Sequence, residues 1–453
     1  MRKKKIKNLV TTSIIDTWDK KKKNVLINHG CIPFSTIDKF SSYKYEIGKH
    51  PWDDRGKLEN DYKYLKKLNT KIIKEYSKKF NDLHNSSFTK KYWTITFQPW
   101  CDIFIPAIYE RWLNLNEYFK DIDSYSLKII KVDKKKFRFE NIDDFLLKIR
   151  TDLFNHFIYS KILRFNNIKL FKNINFKKKH ETIYKTYKYR RNFFHKILNK
   201  IIISGNYFFL KKSKYFYIDT YIGRINELVL AIKLLAFGRP VINTNYKNLK
   251  YNENIRLKLK LRLKSENKFE KFLFPIIHEF IPKTFVENYQ SINHHIEKLN
   301  WPDKPKVIFT SHAYRDEIPL FYIAKKKDMY NSKLYFGQHG GSFFHYKFNT
   351  GEDYQLKVSD EFISWGNFPK KNKIFNLGIL KPLKKINYSS DNKSILIVLK
   401  SMSKFTNQIN SSSGVNQHLK NLDSLNFFCN TLAHKIGENN LLFRAHARHL
   451  GLD

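Results

Sequence analysis

Residues 307–341 read VIFTSHAYRDEIPLFYIAKKKDMYNSKLYFGQHGG, and this stretch decides the fold class. Val307–Thr310 and Leu334–Phe336 are short apolar runs typical of buried strands, and the segment between them has the length and spacing of a helix. Asp316 stands where a helix cap is expected, and Pro319 falls in the first turn, where its missing N–H costs no hydrogen bond. The stretch therefore predicts a strand–helix–strand unit, the building block of doubly wound α/β sheets.

A second unit of the same kind lies closer to the C-terminus. Strands are predicted at Ile395–Leu399 and Leu441–Phe443, and between them Gln417–Ile436 carries one apolar stripe at helical spacing. Gly437 follows as the expected helix stop. Two separate units predict two doubly wound sheets, in two Rossmann-like domains that face each other across a cleft.

The boundary between the two domains is expected in the Lys-rich stretch after Gly366. We assign residues 1–369 to the first domain and residues 370–453 to the second. About 60 residues follow Lys393, whereas a nucleotide-binding domain of this class has roughly 100 or more. We therefore expect the second domain to be incomplete in this chain.

The first domain is expected to open with two buried strands, Leu9–Thr12 and Val25–Asn28. Helical patterns predominate from about residue 57 to 200, and we interpret this region as a large helical insertion. Further along the chain, Tyr215–Asp219 predicts a strand and Arg224–Ala236 a helix. One apolar stripe begins the helical region, at Tyr62, Leu65, Leu68 and Ile72.

The chain is strongly basic. It has 453 residues, a formal net charge of +44, 42% hydrophobic residues and 16% aromatic residues, so cores of ordinary size can form. One interpretation of the charge is a polyanion partner, such as nucleic acid or an anionic membrane surface. The other is the codon bias of an A/T-rich genome, because Lys, Asn, Ile, Phe and Tyr are all frequent. No recognisable nucleic-acid-reading motif accompanies the charge, so we expect no specific nucleic-acid partner.

The cysteines and the apolar stretches indicate the cellular compartment in which the protein is expected. Cys31, Cys101 and Cys429 are too few and too far apart for a disulfide framework or a zinc site. The basic start is not followed by the apolar core of a signal peptide. The longest apolar stretch, Leu228–Phe237, is far shorter than the roughly 20 residues of a membrane span. These features predict a cytoplasmic protein whose membrane contact would be peripheral, at the inner face of the cytoplasmic membrane.

Three loops follow the carboxyl ends of predicted parallel strands, where ligands bind in open α/β sheets. They are Ser311-His312, Gln338-His339-Gly340-Gly341 and Arg444-Ala445-His446. Ser311 and His312 lack the Gly-x-Ser-x-Gly context of a nucleophile and are predicted to be a loop cap.

The turn Gln338–Gly341 is the strongest of the three candidates. Its paired glycines allow positive φ and close backbone approach, so Gln338, Gly340 and Gly341 are predicted to bind the phosphates of a donor. His339 can donate a hydrogen bond or carry a proton, which predicts a catalytic role. The alternative interpretation is a tight turn with a structurally bonded histidine.

Arg444 and His446 are predicted to bind a diphosphate, because a guanidinium offers a fixed fork of donors. A surface ion pair is the alternative. Asp121-Ile122-Asp123 has the Asp-x-Asp pattern of metal-dependent sugar transferases, but it follows a helical run. A solvated helix end is expected there, and we predict no metal site.

The loop at residues 50–55, HPWDDR, precedes a predicted helix. An aromatic ring beside carboxylates can hold a sugar and supply a base, so Asp53 is a candidate catalytic base. The residues predicted to bind the acceptor are Trp52, Asp54 and Arg55.

Several short motifs are spread along the chain. They are Leu9-Val10-Thr11-Thr12 with Trp18, Cys31, Trp52-Asp53-Asp54-Arg55, Tyr92-Trp93 with Pro99-Trp100, Gln338-His339-Gly340-Gly341, Asp360 with Ser364-Trp365-Gly366, and Arg444. With these motifs the chain resembles, nearly end to end, a family of bacterial transferases encoded in O-antigen and surface-polysaccharide gene clusters. It departs from that family at Ile27–Gly30, where Leu-Gly-x-Trp is usual, and at Phe343-Phe344, where a tyrosine and a glycine are usual.

The resemblance implies a GT-B-like fold, since the family is similar to GT-B enzymes such as capsule Kdo transferases and glycerophosphotransferases. It also implies a nucleotide-activated donor held mainly by the C-terminal domain, a glycan or lipid-linked acceptor, and no cofactor. We therefore predict a transferase of surface-polysaccharide or O-antigen (lipopolysaccharide) biosynthesis with His339 and Asp53 as catalytic residues. The alternatives are a non-catalytic protein that binds polyanions or a membrane surface, and a transferase of glycerol phosphate.

Overall fold

The computed structural model describes residues 6–33, 42–168, 171–174, 207–236, 246–366, 373–381, 394–399, 403–411 and 415–444, together with residues 197, 200, 201, 204, 205 and 240. Within these residues, the strands form two five-stranded parallel sheets and one two-stranded parallel sheet. The chain is therefore an α/β protein.

The first sheet has the strand order β3-β2-β1-β4-β5, and every neighbouring pair is parallel. Both strands predicted near the N-terminus are confirmed, although each ends two residues earlier than expected. Because the winding changes direction between β1 and β4, the loops after these strands diverge and leave a crevice at the carboxyl edge. The strands are β1 (Lys7–Val10), β2 (Asn24–Leu26), β3 (Tyr45–Ile47), β4 (Tyr125–Ile130) and β5 (Phe171–Ile174).

Two long helices, α1 (Arg55–His84) and α2 (Lys90–Asn116), connect β3 to β4. The apolar stripe predicted in the first of them is buried along α1. Helix α2 is buried on nearly all sides, as expected for a helix that is apolar all round. One buried apolar cluster runs from the first sheet through these helices to the second sheet, so α2 lies between the two sheets.

Pro99 shows why α2 can carry a proline in its interior. Proline has no N–H, so the carbonyl of Ile95, four residues earlier, has no helical partner at that point. The hydroxyl of Tyr354, from the second half of the chain, donates to this carbonyl at 2.7 Å. The missing bond in the helix thus becomes an attachment point for the second sheet's helices.

The link from β4 to β5 contains α3 (Ile142–Lys148) and α4 (Asp152–Phe165). Asn141 accepts a hydrogen bond from the backbone of Asp144 and so caps α3. Helices α1 and α2 lie in the segment expected to be helical, residues 57–200, but two strands, β4 and β5, lie in it as well.

The second sheet has the order β10-β9-β8-β7-β6, again all parallel. The unit predicted from residues 307–341 is confirmed as β7, α10 and β8. The strands are β6 (Tyr215–Ile218), β7 (Val307–Thr310), β8 (Lys333–Gly337), β9 (Glu361–Ser364) and β10 (Ile374–Asn376). The helices are α5 (Arg224–Lys233), α6 (Glu253–Lys258), α7 (Lys268–Leu273), α8 (Ile277–Phe280), α9 (Tyr289–Glu297), α10 (Glu317–Tyr330) and α11 (Thr350–Val358).

The unit predicted near the C-terminus is also present, as β11 (Ile395–Val398), α12 (Val415–Ile436) and β12 (Leu441–Arg444). Its two strands pair in parallel and form a sheet of their own. Both five-stranded sheets precede it, and β10 lies beyond the predicted boundary at residue 369. Within the described residues, the model contains no helix of the length and hydropathy that a membrane crossing requires.

Candidate functional site

The loops that follow β6, β7, β8 and β9 lie along one edge of the second sheet, because parallel strands all end on the same side. This carboxyl edge is where an open α/β sheet binds ligands. The loops are residues 219–223, 311–315, 338–341 and 365–366.

Four rings from three of these loops gather at the carboxyl edge. The ring centroids of His312 and His339 are 5.1 Å apart, with the planes at 81°. Tyr221 lies 6.0 Å from each histidine. Tyr314 lies 5.6 Å from His312 and 6.0 Å from His339. Two imidazole rings therefore meet between two phenol rings.

Gln338 joins the turn to the loop after β9. Its side chain is buried, its Oε1 accepts the backbone N–H of Trp365 at 2.9 Å, and its Nε2 donates to the carbonyl of Gly340 at 2.9 Å. Both ends of the amide thus bind backbone, which orients His339 and the glycines that follow. The predicted binding of a donor phosphate by Gln338 stays a prediction.

Gly340 and Gly341 would allow a positive φ, but neither adopts one in this structure. No atom of the described residues lies within 4 Å of the place a Cβ would take at either glycine. The crowded glycine is Gly337, where a Cβ would lie 2.6 Å from Oγ of Ser311. The open space beside the pair leaves the turn's backbone accessible to a ligand.

Backbone strain marks the loop after β6. Asp219 has a φ of 48° and Tyr221 a φ of 62°, in the left-handed region that residues other than glycine rarely adopt. Desolvation raises the pKa of the Asp219 carboxyl, and the nearby His312 opposes this shift. Strained residues cluster at functional sites, so we include both residues in the candidate site.

Ser311 lies beneath the site. It is fully buried, and its hydroxyl donates to the carbonyl of Thr220 at 2.8 Å, which ties the loop after β7 to the loop after β6. This agrees with the loop-cap interpretation of Ser311. His312, the next residue, instead joins the ring cluster.

A small cavity of about 20 Å³, enough for about one water molecule, lies behind Tyr314. Its walls include Asp102 of α2 and Gln408. Burial raises the pKa of Asp102 to about 7, although Asn69 and Gln98 each donate a hydrogen bond to its carboxyl. A carboxyl that changes charge near neutral pH therefore stands next to the ring cluster.

The predicted acceptor loop lies at the carboxyl edge of the first sheet, directly after β3. Trp52 is 6% exposed, and its indole N–H donates to a carboxylate oxygen of Asp61 at 2.9 Å. His50 contacts Glu110 through Nε2 at 2.9 Å. The ring of Trp52 belongs to the core in this structure, so it offers an acceptor only a narrow edge.

The remaining residues of this loop differ in their availability. Asp53 is exposed and lies in a short 3-10 helix, Pro51–Asp53. Asp54 caps α1 by accepting the backbone N–H of Lys57 at 3.0 Å. Arg55 donates to the carbonyl of Ser411 at 2.7 Å. Asp53, Asp54 and Arg55 are all exposed, whereas Trp52 is buried.

Residues 403–411, here called the strap, connect the first sheet's carboxyl edge to the loop beyond the His339 turn. At one end, Nζ of Lys404 lies 2.8 Å from a carboxylate oxygen of Asp152. In the middle, Arg111 of α2 donates to the carbonyl of Thr406. At the other end, Asn410 pairs with Asn349 in an antiparallel bridge. The strap thus couples the two predicted halves of the site.

Arg444 ends β12, in the two-stranded sheet, and is exposed. It therefore belongs to a different sheet from His339. His446, predicted to act with Arg444, lies outside the described residues. The diphosphate-binding role of the pair stays a prediction.

Two buried groups near the first sheet's carboxyl edge are unsuited to acid–base or nucleophilic work. Burial raises the pKa of Cys31 to about 12, so its thiol stays protonated. Burial lowers the pKa of His156 to about 4, and its Nε2 accepts the backbone N–H of Ile130 at 2.9 Å. The proton of this neutral imidazole is then on Nδ1, which faces Oγ1 of Thr11 at 3.3 Å.

Sequence reasoning missed Asp219, Tyr221 and Tyr314. The signal for the first two was the predicted strand Tyr215–Asp219, because ligands bind beyond the carboxyl ends of parallel strands and both residues lie at that end. Tyr314 lies in the same loop as His312, and the sequence does not show which way its side chain points.

Glu317 gives the site region a pH-dependent stability. It begins α10, and its buried carboxyl accepts hydrogen bonds from the backbone of Ile142 at 2.6 Å and from the hydroxyl of Thr284 at 3.2 Å. Burial raises its pKa to about 8, with Asp316 and Asp143 adding to the shift.

Replacing Glu317 with glutamine is expected to flatten the dependence of stability on pH. A carboxyl whose pKa is raised on folding keeps its proton in the native state, so wild-type stability falls as pH rises from about 4.5 to 8. The slope from one such group is at most about 1.4 kcal/mol per pH unit. Urea unfolding at several pH values measures it. Glu297→Gln, which changes an exposed carboxylate on α9, is the matched control; an unchanged slope in Glu317→Gln would contradict the assignment.

The chain was compared with models of known protein families. The family model described as LIC12162 family transferase matches residues 7–453. Searches of curated proteins and of solved structures find no significant match.

Proposed function

The chain belongs to the LIC12162 family of transferases, and from this premise we propose that it moves a sugar or related group from a nucleotide-activated donor to a glycan or lipid-linked acceptor. The proposal includes a GT-B-like division of labour, in surface-polysaccharide or O-antigen biosynthesis at the cytoplasmic face of the membrane. The first-sheet region binds the acceptor, and the later part of the chain binds the donor.

The observation that carries the proposal is the pairing of His312 and His339 at an open carboxyl edge. Their rings are 5.1 Å apart, and open space borders the two glycines that follow His339. Transfer to a hydroxyl needs a group that takes a proton and donors that face a developing negative charge. An imidazole beside accessible backbone N–H groups supplies both.

In the proposed step, the acceptor oxygen forms a bond to the reacting donor carbon. The bond between that carbon and the donor's phosphate oxygen breaks, and its electron pair stays on the leaving nucleotide. His339 takes the hydroxyl proton, with the exposed Asp53 as the alternative base. Backbone N–H groups of Gly340 and Gly341, with Arg444 and His446, offset the charge of the leaving phosphate.

A screen of nucleotides by thermal unfolding tests the donor. A nucleotide or nucleotide-sugar at about 100 times its Kd is expected to stabilise the protein by about 2.7 kcal/mol, because it binds only the folded state. A rise in Tm with nucleoside diphosphates, monophosphates or their sugar conjugates would also identify the nucleobase of the donor and the group that it carries. If no nucleotide shifts the Tm, the donor part of the proposal is wrong.

Experiments on the same protein sample distinguish two other functions from the proposed one. A response to cytidine nucleotides carrying glycerol phosphate, and not to sugar conjugates, would indicate glycerol-phosphate transfer. The net charge of +44 favours a polyanion-binding protein as the other candidate. Tight, saturable DNA binding that weakens steeply with salt, without any nucleotide response, would favour that candidate.

A further inference from the structure

Helix α5 has two apolar faces. One face packs on the second sheet, where Ala231 and Leu230 lie in a cluster with Tyr217 and Phe309. The opposite face is uncovered by the described residues. On it, and just beyond the helix, the exposed fractions are 79% for Ile225, 60% for Leu228, 44% for Val229, 54% for Ile232 and 75% for Leu235.

We call these five residues the strip. At about 100° per residue, the four that lie in the helix fall within an arc about 100° wide, the width of a face that normally packs against something apolar. Helices on the surface of a monomer carry polar residues on such an arc, and contiguous exposed apolar patches mark interaction sites. The strip therefore needs a partner that accepts aliphatic side chains.

Both charged residues of α5 that border the strip are positive. Arg224 and Lys233 border it on either side, and both are exposed. The one acidic residue of α5, Glu227, lies away from the strip and accepts a hydrogen bond from the hydroxyl of Thr220 at 2.5 Å. The segment just after α5 contacts β6, since the hydroxyl of Tyr217 donates to the carbonyl of Ala236 at 3.1 Å.

The chain just before β6 has the same character. Phe208 and Phe209 are exposed, and the lysines that follow them include Lys212 and Lys214, which are also exposed. Aromatic and aliphatic side chains beside lysines are the composition of segments that lie in a membrane interface.

We propose that α5 forms a membrane-docking surface whose partner is a lipid bilayer with anionic headgroups. The strip inserts among the acyl chains near the headgroups, while Arg224, Lys233 and the lysines before β6 contact lipid phosphates. Charge complementarity selects this partner, because the strip's border carries cations and α5 presents no carboxylate beside it. The inference does not rest on the proposed transfer reaction.

Co-sedimentation of the full chain with vesicles tests the surface. Vesicles of equal parts phosphatidylglycerol and phosphatidylcholine are compared with vesicles of phosphatidylcholine alone. The wild type is expected to prefer the anionic vesicles, and Leu228→Asp with Ile232→Asp to bind them at least about tenfold more weakly. Arg224→Glu with Lys233→Glu is expected to lose about tenfold in affinity at low salt.

The matched control is Phe427→Asp with Phe428→Asp on α12, which also replaces two exposed apolar residues and is expected to bind like the wild type. All variants change exposed side chains, so equal Tm values show that they fold. The proposal is overturned if the wild type binds neither vesicle, or if the α5 variant and the control bind equally. It is also overturned if the α5 variant changes the oligomeric state instead of vesicle binding, since the strip is then a contact between copies.

Discussion

Replacement of His339 by alanine is expected to lower the rate of group transfer by about a hundred- to ten-thousandfold, the usual contribution of a positioned acid–base group. The imidazole lies among the rings of His312, Tyr221 and Tyr314 at the edge of the second sheet, and its removal leaves no equivalent group in the turn. The backbone there is held by Gln338, so the fold and Tm should change little. Initial rates with the donor found by the nucleotide screen measure the effect.

His345→Ala is the matched control. This residue lies six positions further along the same segment and is exposed, outside the ring cluster. A rate close to wild type in His345→Ala and a large loss in His339→Ala would support the assignment. An unaltered rate in His339→Ala would remove His339 from the mechanism, and an equal test of Asp53→Asn would then decide whether the exposed carboxylate is the base.

Replacement of Arg111 by methionine is expected to destabilise the protein by about 3–5 kcal/mol, the usual cost of leaving one partner of a buried ion pair without the other. Arg111 is fully buried and contacts a carboxylate oxygen of Glu110 at 3.0 Å and the amide oxygen of Asn155 at 2.7 Å. It also donates to Thr406 of the strap. Methionine is of similar length but can satisfy none of these groups. Urea unfolding measures the loss.

Arg55→Met is the control that separates the effect of burying an arginine from the effect of its contact with the strap. Arg55 also donates to a strap carbonyl, that of Ser411, but is exposed, so its loss should cost less than about 1 kcal/mol. Similar effects of the two substitutions would contradict the view that burial of the Arg111 ion pair is what stabilises this junction. If Arg111→Met does not fold, Arg111→Lys, which keeps the charge, gives a measurable intermediate value.

The local strand–helix–strand units were predictable because the two strands of each unit pair with each other. In residues 307–341 the two strands pair with each other and the helix returns across them, so the pattern of apolar residues is enough. The same holds for β11, α12 and β12. The assembly of the strands into sheets was less predictable, since β5 pairs with β4 and β6 with β7 across long intervening segments.

The candidate site was predicted only in part, for a related reason. His339 was found because its turn follows a recognisable strand. The meeting of His339 with Tyr221 was not, because their loops are more than a hundred residues apart and become neighbours only through the pairing of β6, β7 and β8. Trp52 appeared to be a surface platform, yet its indole N–H is satisfied inside the core by Asp61.

The α/β class, the positions of the main strands and the turn Gln338–Gly341 could be predicted from the sequence, because these depend on residues close together in the chain. Only the folded structure shows that the turn's glycines have ordinary φ values, that two histidines meet, and that no described residue covers one apolar face of α5. Such features depend on which distant segments pack together. Apolar periodicity shows that a face can be buried, but the partner that buries it is set by the whole fold.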